Sequence, residues 1–128
     1  MDDRETLQGG HLLTEVSNAM VALHRLHFGR GPGAAKSVLV DDLLVCTLTD
    51  VYTPVERTLI RSGDLDRVRE TRLVHQLALR EEFEVRIEKL TGRPVHAYVS
   101  GVHFDPDMAV ELFYLEPDAD EPHPRGSS

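Results

Sequence analysis

Phe28-Gly29-Arg30-Gly31-Pro32, followed by Lys36 and Ser37, is the stretch of this chain whose residue types most invite chemistry. Glycines that bare the backbone beside a lysine and a serine are the parts of a phosphate cradle. Such a cradle runs from a strand into a helix N-terminus, where free amides and the positive dipole end meet the anion. Here the order is reversed: an apolar-periodic segment ends at Phe28, and Val- and Thr-rich residues follow Pro32. The nearest dipole end is then negative. The stretch reads as a helix stop, with Arg30 projecting into solvent as a contact residue.

The other chemistry-bearing residues fare no better. His24 and His27 are three apart and could share a helix face, with Cys46, His75, His96 or His103 as partners for zinc. No Cys-x-x-Cys or His-Glu-x-x-His spacing supports a metal, so the histidines are expected at the surface or half-buried. Cys46, between Val45 and Leu48 in a strand-like run, is expected to be buried and inert. No serine sits in a nucleophile elbow. Glu81, Glu82, Glu84 and Glu88 are interleaved with basic residues, as on a solvated helix face. The pattern predicts no catalytic apparatus, no metal and no cofactor.

The elements that would position these residues follow from periodicity and punctuation. Leu12, Val16, Ala19, Leu23 and Leu26 make one apolar stripe, predicting a helix from about Gly10 to Phe28. Ser37–Asp41 and Leu43–Thr49 read as a hairpin turning at Asp41-Asp42. Thr53-Pro54-Val55-Glu56 is a capping box with proline at the first helical position, predicting a helix to about Arg61. Ser62-Gly63-Asp64 breaks it. A longer helix is expected from Leu65 to Thr91, closed by Gly92, with Leu79, Phe83, Ile87 and Leu90 on one face. Glu82 and Arg86 are spaced to pair on it. Val95–His103 and Met108–Leu115 form a second hairpin around Asp105-Pro106-Asp107. The order α-ββ-αα-ββ predicts an α+β fold, a four-stranded antiparallel sheet with helices packed on one face. Residues 1–9 read as a disordered N-terminal segment, 10–116 as a single domain and 117–128 as a disordered acidic tail.

At 128 residues the chain bounds one domain. Its net charge of −8 sits largely at the ends, with Asp2, Asp3 and Glu5 at one and Glu116, Asp118, Asp120 and Glu121 at the other. A nearly balanced centre disfavours nucleic acid. One cysteine, no signal pattern and no apolar run of spanning length predict a cytoplasmic protein without membrane insertion. The strand Val38-Leu39-Val40 has little edge protection before Asp41. Pairing of that edge, or packing of the long helix against its twin, would give a homodimer.

The order of motifs resembles the small bacterial MpsC-like family, a component of a sodium-translocating, membrane-potential-generating system. The resemblance rests on Phe28-Gly29-Arg30-Gly31-Pro32, the Val38–Leu48 hairpin, Thr53-Pro54-Val55-Glu56, Leu90-Thr91-Gly92-Arg93-Pro94-Val95 and Val110–Leu115. The family usually carries a glycine just before the capped helix, where this chain has Asp50-Val51-Tyr52. The resemblance implies a non-enzymatic accessory protein of a bacterial membrane transport or membrane-potential-generating system, sodium or inorganic-carbon linked. Such a protein would act by protein contacts, with an integral membrane transporter subunit as partner. The expected contact residues are Arg30, Gly31, Pro32, Thr53, Glu56 and Arg57. The alternatives are a small RNA-binding domain and a small-ligand sensor with its pocket between sheet and helices.

Overall fold

A computed structural model describes residues 7–117; the disorder expected at the two ends falls largely outside that range. A short segment, Leu7–His11, kinked by non-helical backbone at Gly9, leads into helix α1, Leu12–Phe28, which buries Leu12, Val16, Ala19, Met20 and Leu23. Gly29 ends it at φ 77, the left-handed conformation that glycine adopts without a Cβ penalty. Strands β1, Ala34–Val40, and β2, Leu43–Thr49, form the first hairpin. It turns at Asp41-Asp42, with Asp41 at φ 54. β1 starts three residues before the expected Ser37, because Ala34 to Lys36 continue the pairing with β2.

Helix α2, Pro54–Arg61, and helix α3, Leu65–Thr91, are separated by the turn at Ser62-Gly63-Asp64. Strands β3, Val95–His103, and β4, Met108–Leu115, complete the chain. The sheet is antiparallel in the order β1-β2-β4-β3, so the two hairpins join through their second strands. Helices α1 and α3 cover one face, over β1 and β3 respectively.

The register sets out what the helices cover. One row across the sheet is Leu39, Leu44, Phe113 and Tyr98; another is Ala35, Leu48, Ala109 and Val102. Phe113 stacks on Tyr98 at 4.8 Å between ring centroids. Each fully buried side chain of this size contributes about 1.5–3 kcal/mol. On α3, Phe83 and Ile87 are buried, and Leu79 and Leu90 pack half-buried against the same core. Glu82 reaches across to His27, its Oε1 lying 3.0 Å from Nε2, instead of serving only its own helix.

Between the two apolar rows runs a polar one: Ser37, Cys46, Glu111 and Ser100. Tyr98 and Ser100 donate to the Glu111 carboxylate, the latter at 2.9 Å. Ser17 of α1 sits 2.8 Å from Ser37. His24 is 3% exposed, which corrects the expectation of surface or half-buried histidines at this position. Its Nδ1 bonds the Met20 carbonyl at 2.8 Å, and its Nε2 lies 3.5 Å from Glu111. A buried carboxylate is tolerable only with such partners, and the helical period put His24 inward four residues after Met20.

Candidate functional site

The glycine loop and the start of α2 meet at the end of the sheet, and Asp50 joins them. Asp50 stands at φ 58, a region that aspartate tolerates better than most residues and glycine best of all. That is the neighbourhood where the family resemblance expects a glycine. Gly33 passes so close beneath that a Cβ there would lie 2.9 Å from Asp50 Oδ2. The Asp50 carboxylate accepts from Arg30 Nη2 at 2.8 Å and from Arg57 Nη2. Arg30 Nη1 also donates to the Asp50 carbonyl. Arg57 donates from Nε to the Tyr52 carbonyl at 3.1 Å and lies 3.4 Å from Asp107 Oδ2. Asp107 in turn accepts the Val51 amide at 2.8 Å.

Two arginines and two aspartates thus form a neutral, half-exposed network tying the β2–α2 connection to the β3–β4 turn. Hydrogen bonds from Arg30, and then from Arg57, hold the Asp50 carboxyl below its ordinary 3.8 against a smaller opposing effect of desolvation. Arg30 does not stand free in solvent as expected: it is one-third exposed and bound to Asp50.

Behind this network the capping box does two jobs. Thr53 Oγ1 accepts the Glu56 amide at 3.2 Å, and Glu56 Oε1 accepts the Thr53 amide at 2.9 Å. The same carboxylate receives both arms of Arg72 from α3, each at 2.7 Å. Arg72 is 2% exposed, donates to the Val51 carbonyl at 3.1 Å and lies 4.4 Å over the Phe28 ring. Burial pushes the Glu56 carboxyl up, but Arg72 and the Thr53 amide outweigh it and leave the carboxyl lowered from 4.5. Tyr52 donates its hydroxyl to the His103 carbonyl at 2.7 Å. Its phenol is pushed up to about 12, mainly by burial.

Of the six expected contact residues, Arg30 and Arg57 converge on Asp50. Thr53 and Glu56 are engaged in the cap and with Arg72, while Gly31 and Pro32 are half-buried in the loop, Gly31 against the Arg25 side chain. Asp50, Asp107 and Arg72 were not among the sequence candidates. Their partners lie 7 to 56 residues away, a separation that carries no local signal.

What the arrangement can do is bind and orient. The enclosed cavity between sheet and helices, bordered by His24, Phe28, Arg72, Phe83, Tyr98 and Glu111, measures about 10 Å³, room for about one water. Cys46 is fully buried, and desolvation raises its thiol. Among the described residues no group of three or more His, Cys, Asp or Glu is placed to hold a metal ion. Also among them, no helix is long and apolar enough to cross a membrane.

Neither the curated proteins nor the solved structures provide a match. A family model does: it matches residues 8–117, spanning every strand, the three α-helices and the Asp50 network. The chain belongs to the MpsC family, described as a Na+-translocating membrane potential-generating system.

Proposed function

We propose that this chain is a soluble, cytoplasmic, non-enzymatic accessory protein of a sodium-linked membrane-potential-generating system, acting through contacts with an integral membrane subunit. The observation that supports this reading is the open face of the sheet. The outward row Val38, Val45, Leu112 and Val99 is aliphatic across all four strands. Beside it Val40 is 61% and Tyr114 43% exposed. A sheet with one solvated face ordinarily turns polar residues outward; an apolar patch of this extent marks an interaction surface. Arg30 and Arg57 stand at the end of the same sheet, and arginine with apolar centres is the composition of interfaces. The family description supplies the system.

The test is affinity purification of tagged protein from gently solubilised cells of its own source, with nuclease treatment and mass spectrometry. The expected result is a multi-span membrane protein that survives nuclease and is lost in Val99→Glu and Arg30→Glu, both with unchanged far-UV circular dichroism. Equal recovery by both variants, or ribosomal proteins that disappear with nuclease, would refute the reading.

A further inference from the structure

Helix α3 carries a second apolar surface that none of the described residues covers. Its inward residues Val68, Arg72, Phe83 and Ile87 are buried. On the far side, Leu73, Val74 and Leu77 are 53%, 61% and 65% exposed. A helix lying on a monomer's surface keeps that side polar. We propose that this stripe is the contact surface for a second copy of the chain, with the two α3 helices antiparallel about a two-fold axis near residue 75.

The charge pattern selects that occupant and that register. Asp66, Glu70, Leu73, Leu77, Arg80 and Glu84 recur at alternating spacings of four and three, which is one seam of a helix pair. A two-fold centred near residue 75 sets Leu73 against Leu77 of the second copy. It also sets Glu70 against Arg80 and, on the flank, Val74 against Val74 and Arg67 against Glu81. Parallel pairing would place Glu70 on Glu70 and Arg80 on Arg80. Sliding the antiparallel pair by one turn would put Leu77 on Glu70 in one direction, and Leu73 on Arg80 with Glu70 on Glu84 in the other.

Glu70, Arg80 and Glu81 are all exposed. The one like-signed pairing, Asp66 with Glu84, is at the seam's ends, where Arg69 and Arg80 already bind those carboxylates. Leu73 and Leu77 also border an open groove of about 220 Å³ beside Tyr98 and Val99, which extends the contact surface. Such a contact buries on the order of 1,000 Å² in total, at the lower limit of specific interfaces. A contact of that size suits a reversible monomer–dimer equilibrium, whose Kd is to be measured and not read from the area.

Sedimentation equilibrium measures it. Wild type is expected to show a monomer–dimer equilibrium, with Kd raised about tenfold or more in Glu70→Arg and in Arg80→Glu, and abolished in Leu77→Asp. The double swap Glu70→Arg/Arg80→Glu is expected to return to within about threefold of wild type, because each two-fold pair is restored in reverse. A short bismaleimide should join Val74→Cys to its twin and leave a Ser62→Cys control monomeric, with buried Cys46 silent in both. All these sites are exposed, so the variants should fold, and circular dichroism verifies it. A monomer up to about 100 μM, a dimer indifferent to Leu77→Asp, or a double swap no better than the single ones would each overturn the proposal. A dimer lost in Val99→Glu but kept in Leu77→Asp would place the contact on the open sheet instead, and so would also overturn it.

Discussion

Replacing Glu56 by glutamine tests the buried pair that locks α2 onto α3. The carboxylate accepts two hydrogen bonds from Arg72 and one from the Thr53 amide. Glutamine keeps an oxygen for Thr53, so the cap survives, but the counter-charge of a guanidinium that is 2% exposed is lost. Removing one member of a buried ion pair costs about 3–5 kcal/mol, because the other stays desolvated. The Val51 carbonyl and the Phe28 and Tyr52 rings still face Arg72, which favours the lower end, about 3 kcal/mol. For a domain of this size that lowers Tm by roughly 10 °C.

Urea denaturation followed by far-UV circular dichroism gives the comparison. Thr53→Ala, which removes only a cap, should cost about 1 kcal/mol. Glu56→Met/Arg72→Met should cost less than the sum of its single variants, since no orphaned charge remains. A loss below about 1 kcal/mol in Glu56→Gln, the value of an exposed pair, would refute the reasoning. Acid supplies an independent arm. Because the folded-state carboxyl lies below its ordinary 4.5, its contribution is complete above that pH and is lost as pH falls through the folded value. The gap between wild type and Glu56→Gln should therefore close on acidification below 4.5.

Asp50→Asn keeps the left-handed backbone but releases the charge between Arg30 and Arg57; its urea midpoint should move less than that of Glu56→Gln, and the difference should shrink with added salt. A shift as large as that of Glu56→Gln, insensitive to salt, would contradict the half-exposed network. Cys46, buried and with a raised thiol, should react with a thiol reagent only as fast as the protein unfolds, and any fast native-state labelling would show the core to be looser than described. Tyr52 ionises near 12 in the folded state against 10.0 unfolded. The folded protein then holds an extra proton in that interval, so stability should fall as pH rises through it. Tyr52→Phe should lose that part of the alkaline dependence.

The helix and strand boundaries were legible wherever a local rule sets them. Gly29 and Gly92 both adopt the left-handed cap that their positions suggested. Thr53 and Glu56 make both bonds of the capping box. In β4, Val110, Leu112 and Tyr114 alternate with Ala109, Glu111 and Phe113, as in a sheet with unequal faces. The structure chooses Ala109, Glu111, Phe113 and Leu115, because the neighbouring rows and the polar bonds of Glu111 fall on the helix side. Sheet order and the Asp50 network were beyond local reading. Arg30, Asp50 and Asp107 are brought together by strand pairing, and no short-range pattern distinguishes an arginine that will meet such a partner from one that stays in water.

The residues that looked most like a binding motif divide along this line. Thr53 and Glu56 attract notice because caps are conspicuous in sequence, yet their polar atoms are turned to their own backbone and to Arg72. Arg30 and Arg57 retain exposed guanidinium edges, but with Asp50 and Asp107 beside them the cluster carries no net charge. An electrically neutral network gives little long-range steering and fixes orientation at short range. On the proposed reading, binding energy must then come from apolar surface, and the described residues leave two such surfaces uncovered, the open sheet face and the stripe of α3. They approach one another at β3, where Leu73 and Leu77 border the same groove as Val99. A protein that paired with its twin through α3 would cover the β3 edge of the open face around Val99 and leave the β1 side of that face, with Val38 and Val40, for a further partner.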